Sequence, residues 1–166
     1  MDVWLTINRK KGQYRIAPNE ILLDFLRRNG YTEVKCGCRT GECGACSVLL
    51  NDDPVNSCQI LVGSINNCEI KTVQGIGTQR EPNIIQQALA EVGAVQCGFC
   101  IPGMVISAYS LLERNPNPTS EQVCEALDGN LCRCTGYKKI VDGILLAAKR
   151  LNPQQKSSRN KNPKNR

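Results

Sequence analysis

Eleven cysteines and no histidine in 166 residues constrain this chain more than any other feature. Without imidazole there is no His general base, no Ser-His-Asp or Cys-His pair and no mixed Cys/His zinc site. A Rieske centre is excluded too, because it needs two imidazoles on one iron. Any metal chemistry here is thiolate chemistry. The competing use of so many cysteines is a disulfide framework, and two observations weaken it. The start, Met1-Asp2-Val3-Trp4-Leu5-Thr6-Ile7-Asn8-Arg9-Lys10, lacks the charged and then apolar stretch of a secretory signal. The cysteine count is also odd, and reducing compartments do not keep disulfides. A cytoplasmic chain is expected.

The net charge of +6 raises the question of nucleic acid. Residues 152–166 carry five of those charges (Lys156, Arg159, Lys161, Lys164, Arg166) and no acid, which leaves the rest close to neutral. That stretch is rich in Pro, Asn and Ser and reads as a disordered basic tail. Nucleic-acid binders concentrate charge and stacking aromatics on the folded surface, whereas aromatics here are 4%. No apolar run is long enough to cross a membrane. Neither nucleic acid nor membrane is expected as a partner.

Along the chain, residues 3–7 and 14–17 flank an Arg9-Lys10-Lys11-Gly12 turn and suggest a hairpin. Asn19 is a candidate N-cap for a helix to Arg28, with Leu22, Phe25 and Leu26 on one face and Gly30 as the stop. A Gly- and Cys-rich loop fills residues 36–46. A second hairpin, residues 47–50 with 55–56, turns at Asn51-Asp52-Asp53-Pro54, and a strand over residues 69–73 closes the segment. Beyond a polar, Gly-rich linker the pattern becomes helical. Asn83 caps a helix stopped by Gly93, and Pro102 opens one running to about Arg114. Thr119 and Gln122 form a capping box, and a last helix covers residues 137–151. The expected class is α+β: one helix embraced by a small mixed sheet, then four helices in a bundle. The expected units are residues 1–76, a linker at 77–82, residues 83–151 and the tail at 152–166.

Two cysteine constellations fall one in each half. Cys38, Cys43 and Cys46, followed by Cys58, give C-x4-C-x2-C with a distant fourth cysteine, the plant-type spacing for a [2Fe–2S] cluster. Three ligands must wrap one side of a small inorganic core while loop N–H groups approach its sulfurs. Gly37, Gly41 and Gly44 are placed to permit that approach. A structural zinc ribbon would favour two C-x2-C knuckles instead. The second constellation pairs Cys97 and Cys100 with Cys132 and Cys134. It is less diagnostic, since zinc could use it. A thioredoxin-type C-x-x-C wants a βαβ setting that is missing here. Both pairs lie just ahead of expected helices, whose N-termini favour anionic groups. Cys68 and Cys124 read as small buried apolar residues; Cys36 could pack or compete with Cys38 as a ligand. The Gly75-Ile76-Gly77-Thr78-Gln79-Arg80 stretch lacks the third glycine of a dinucleotide fingerprint, so the chain is not expected to bind its own flavin or nucleotide.

Val34-Lys35-Cys36-Gly37-Cys38, Gly41-Glu42-Cys43-Gly44-Ala45-Cys46, Asn56-Ser57-Cys58, the stretch Gly93-Ala94-Val95-Gln96-Cys97-Gly98-Phe99-Cys100-Ile101-Pro102-Gly103, and Gly129-Asn130-Leu131-Cys132-Arg133-Cys134-Thr135-Gly136-Tyr137 together resemble one family. It is the iron–sulfur subunit, or N-terminal iron–sulfur domains, of the molybdenum hydroxylases. These include xanthine dehydrogenases and aldehyde, carbon monoxide and nicotinate oxidoreductases. The resemblance covers about residues 1–150. It implies a β-grasp plant-type ferredoxin-like domain followed by an all-α four-helix domain, each holding one [2Fe–2S] cluster. It implies partners as well, a large subunit with molybdopterin and a medium subunit with FAD, in a heterotrimer. Electrons would pass from the molybdenum centre to the helical-domain cluster, then to the other cluster and to FAD. By the same resemblance Gln96 and Cys134 would lie against the partner's molybdopterin. Ile101 stands where the family often has Thr. A xanthine dehydrogenase-like complex acting on purines or related N-heterocycles is the first expectation; aldehyde, carbon monoxide or nicotinate dehydrogenase is the alternative. The chain itself is expected to supply no catalytic residue. A stand-alone ferredoxin would leave the helical half unexplained, and a zinc-stabilised interaction module ranks last.

Overall fold

The computed structural model describes residues 1–152; all but the first residue of the expected tail lies outside them. The sheet is mixed and five-stranded, in the order β2-β1-β5-β3-β4. Strand β1 (Asp2–Ile7) pairs antiparallel with β2 (Lys10–Arg15), Asp2 opposite Arg15 and Ile7 opposite Lys10. Its other edge runs parallel to β5 (Glu69–Lys71). Strand β3 (Ser47–Leu50) pairs antiparallel with β5 and with β4 (Asp53–Asn56). Val3, Leu5 and Ile7 alternate inward along β1, the period-2 pattern of a half-buried strand. Under the sheet lies α1 (Leu22–Arg28), burying Leu22, Leu23, Phe25 and Leu26. Tyr14 meets the Phe25 ring edge-on, 5.2 Å between centroids.

Both hairpins turn more tightly than the sequence reading supposes. Asn8 and Arg9 have φ of 47° and 69°, and Asn51 and Asp52 have 49° and 69°. These are two-residue turns with both central residues left-handed, the geometry that matches strand twist and favours Asn first. Gly12 and Pro54 therefore lie within strands, Pro54 on the edge strand β4, where a missing N–H is tolerated. Helix α1 starts later than Asn19 suggests. Ile21 bridges to Leu61, and Leu22 N donates to the Ile60 carbonyl at 2.8 Å, so a strand-like contact occupies the expected first turn. The helix stops at Gly30, with φ of 91° and Tyr31 N bonded to the Leu26 carbonyl. Strand β5 ends at Lys71 rather than Val73. Thr72, fully buried, turns its N–H to Asn8 Oδ1 (2.8 Å) and its hydroxyl to Glu33 Oε1 (2.7 Å). A short helix, α2 (Val73–Ile76), follows directly.

The second half holds α3 (Ile84–Glu91), α4 (Ile101–Arg114), α5 (Ser120–Ala126) and α6 (Lys138–Leu151). Asn83 and Thr119 each close a reciprocal capping box, with Gln86 and Gln122 respectively. Pro102 stands in the first turn of α4. Ile85, Leu89, Met104, Val105, Ile140 and Ile144 share one core. Gly143 lets α6 approach α3 closely: a Cβ there would stand 3.0 Å from Leu89 Cδ2. The two halves meet where α4 packs on the β3–β4 hairpin. Arg114 pairs with Asp53, and Lys71 Nζ sits 5.4 Å from the Tyr109 ring centroid. A sheet folded on one helix and then a four-helix bundle match the expected class.

Candidate metal centre

The loop between α1 and β3 is built on left-handed backbone. Gly41 and Gly44 have φ of 86° and 66°, and Arg39 adopts 63° despite its side chain. Gly37 has a different reason to lack a side chain: a Cβ there would stand 2.6 Å from Cys43 Sγ. The fold places the thiol of Cys38 near that of Cys43, and the thiol of Cys46 near that of Cys58, close enough for each partner to influence the other's ionisation. Backbone N–H groups turn toward sulfur as the spacing suggests: Cys38 N to Cys43 Sγ and Thr40 N to Cys38 Sγ, both at 3.4 Å. Gln59 Nε2 donates to Cys58 Sγ at 3.3 Å. Asn56 Nδ2 holds the loop through the Gly41 carbonyl, and Ser57 Oγ through that of Cys46.

The second group is assembled from the loops before α4 and α6. Cys100 is the N-cap residue of α4, and Cys134 lies four residues ahead of the first residue of α6. Cys97 and Cys134 Sγ atoms are 3.6 Å apart, and the Cys100 and Cys132 thiols lie close enough to influence each other's ionisation. Thr135 Oγ1 lies 3.0 Å from Cys132 Sγ. Tyr137, at φ of 65°, ties this loop together: its hydroxyl accepts from Cys132 N at 2.9 Å and donates to the Asn130 carbonyl at 3.1 Å. In the sequence Tyr137 is only the last residue of a motif, and nothing in its spacing announces this role.

Environment divides the thiols. The hydrogen bonds from Thr40 lower exposed Cys38 to about 6. Burial pushes Cys46 up to about 11 and Cys100 up to about 12. At Cys132 burial opposes ionisation, but the Thr135 hydrogen bonds outweigh it and the thiol is lowered. Cys134 is raised, first by its bond with Cys97. A metal binds thiolate, so filling the Cys46 and Cys100 positions releases protons.

Among the described residues, no three His, Cys, Asp or Glu side chains are gathered closely enough to hold one ion; the thiols come as pairs. At a metal–thiolate bond of about 2.3 Å, two sulfurs on one tetrahedral ion stand about 3.8 Å apart. The 3.6 Å of Cys97 and Cys134 fits that value. Each site thus offers two thiol pairs, one pair for each iron of a two-iron core, and the donor set fits a [2Fe–2S] cluster.

The other cysteines are not drawn in. Cys36 Sγ accepts from Arg39 Nε at 3.2 Å, while Arg39 also grips Asp24. Cys36 and Cys68 pack against the sheet core. Cys124 departs from its expected burial: it is exposed, on the outer face of α5, while its neighbour Val123 fills the core. Gln96 is exposed beside exposed Cys97. Val95, Phe99 and Leu131 are large apolar residues left exposed around that group.

Known proteins carry the same construction. Residues 5–63 match a family described as "2Fe-2S iron-sulfur cluster binding domain", and residues 72–145 one described as "[2Fe-2S] binding domain". The chain is 46% identical over 147 residues to the nicotinate dehydrogenase small FeS subunit of Eubacterium barkeri, covering 88% of this chain and 94% of that one. It is 44% identical over 137 residues to the xanthine dehydrogenase of Emericella nidulans, covering 76% of this chain but 10% of that longer protein. Among solved structures, quinoline 2-oxidoreductase from Pseudomonas putida 86 superposes with a TM-score of 0.85 at 40% identity, over 90% of this chain and 96% of that one. Both halves of the chain thus match [2Fe–2S]-binding families, and the fold matches that of whole iron–sulfur chains. The chain belongs to the iron–sulfur small subunits of the molybdenum hydroxylase family.

Proposed function

We propose that this chain is the electron-transfer subunit of a molybdenum hydroxylase acting on a nitrogen heteroaromatic compound. One observation carries the reading: each of the two matched regions contains four cysteines whose thiols fall into two pairs. In this reading residues 1–76 hold one [2Fe–2S] cluster on Cys38, Cys43, Cys46 and Cys58. Residues 83–151, beyond a linker at 77–82, hold the other on Cys97, Cys100, Cys132 and Cys134. Each cluster would supply a one-electron store. The chain's own part is to hold, space and tune the two stores through sulfur-directed hydrogen bonds. Exposed Cys134, 3.6 Å from the thiol of Cys97 that follows exposed Gln96 in the chain, is the point of electron entry from molybdopterin on a large subunit. Exit is toward FAD on a medium subunit, in a cytoplasmic heterotrimer. Nicotinate and quinoline appear in the names of relatives matched over nearly their whole length, which favours pyridine- and quinoline-type rings over the purines first expected. No helix among the described residues is long and apolar enough to cross a membrane.

The test is iron and acid-labile sulfide per chain on anaerobically purified protein, with EPR after dithionite reduction. About four iron and four sulfide with two distinguishable signals is the expected result. Zinc without sulfide would overturn it.

A further inference from the structure

The two thiol groups are joined by a seam of backbone contacts, and one side chain occupies its centre. Leu131 N, next to Cys132, donates to the carbonyl of Cys43 at 3.0 Å. One hydrogen bond therefore links the two ligand loops directly. Beside it lies Asn130, only 6% exposed. Its Nδ2 donates to Ser107 Oγ on α4 at 2.7 Å, while its Oδ1 is buried without a hydrogen-bond partner.

That orphaned oxygen faces two glycines. A Cβ on Gly44 would stand 2.6 Å from Asn130 Oδ1, and one on Gly103 would stand 2.7 Å from it. The same Gly103 Cβ would run into the Gly44 carbonyl. The Cα–H bonds of both glycines thus point at the oxygen, a weak compensation for an acceptor that water cannot reach. Gly44 belongs to the first ligand loop, Gly103 to the first turn of α4 just after Cys100, and Asn130 to the loop carrying Cys132. Phe99 completes the seam, its Cε1 3.7 Å from the Cβ position of Gly37. A buried acceptor left unsatisfied is costly, and here it lies where the two ligand loops come together.

We propose that Asn130 is a positioning residue for electron passage between the two sites. Its amide, fixed by Ser107, sets how closely the Gly44 loop and the start of α4 approach, and so keeps the Leu131–Cys43 hydrogen bond made. Tunnelling falls steeply with separation and is weaker across a gap than across bonded atoms, so loosening this seam slows transfer without removing either site. The inference rests on the two-cluster reading above.

The test uses the full, cluster-loaded chain. Iron per chain, the two EPR signals, their magnetic interaction in the fully reduced protein and the rate of electron equilibration between clusters are compared across variants. Asn130→Ala should keep both signals while the interaction splitting shrinks and equilibration slows several-fold. Lys71→Met, at the rim of the same interface, should leave both quantities unchanged. If Asn130→Ala loses iron, Ser107→Ala, which removes only the acceptor that fixes the amide, takes its place and should show the same weakened interaction. Unaltered splitting and rate in an iron-replete Asn130→Ala, or in its substitute Ser107→Ala, would overturn the proposal, as would an equal loss in Lys71→Met. A wild-type chain without two iron clusters would instead remove the reading beneath it.

Discussion

Gly37 and Gly41 sit in one loop for different physical reasons. At Gly41, φ of 86° makes a side chain costly whatever the space around it. Gly37 has no such φ, and its constraint is the sulfur 2.6 Å from where a Cβ would be. Gly37→Ala should therefore displace Cys43 and lose the first cluster's EPR signal while the second persists. Gly98→Ala, with a φ of 80° but no atom nearer than Val95 at 3.8 Å, should cost about 1 kcal/mol of backbone strain and keep both signals. The candidate ligand cysteines stand out in sequence because much of their spacing is local and thiolate chemistry without histidine admits few alternatives. Arg39 and Tyr137 do not: a left-handed non-glycine residue has no mark in sequence when tertiary contacts, not local preference, hold it there.

Elements with strong local grammar came out as their residues suggest. Both capping boxes formed, Pro102 opened α4 and Gly30 closed α1. The start of α1 departs from the Asn19 expectation because its competitor is remote, the backbone around Leu61. That displaced start leaves Glu20 outside the helix, where it accepts from Arg28 Nε at 2.5 Å and Nη2 at 3.0 Å. The Arg28 hydrogen bond holds its carboxyl below the ordinary value of 4.5. A carboxylate depressed in the folded chain contributes stability above its unfolded pKa and loses it as the pH falls through the folded one. Glu20→Gln should thus lower stability by about 0.5–1 kcal/mol at pH 7, the range for a partly exposed pair. The gap between variant and parent should narrow as the pH drops below 4.5, read as the difference in urea midpoints.

For the molecule as a whole, class and order of halves were readable because hydrophobic period changes from two to three and a half residues near residue 83. How the halves meet was not readable, since Asp53 with Arg114 and Lys71 with Tyr109 are far apart in the chain. Each group of four thiols nonetheless comes from its own half of the chain. Cys43→Ser should abolish one EPR signal and Cys100→Ser the other, each leaving the remaining cluster's iron in place; loss of both from either change would contradict the two-unit reading. The exposed pair Cys97 and Cys134, 3.6 Å apart, has a consequence for handling. If the proposed cluster is shed in air, two neighbouring thiols are left that oxygen can join. Once joined, they no longer accept iron, so damage at this edge seals itself. Repair then starts with a thiol reductant, before any iron or sulfide is offered.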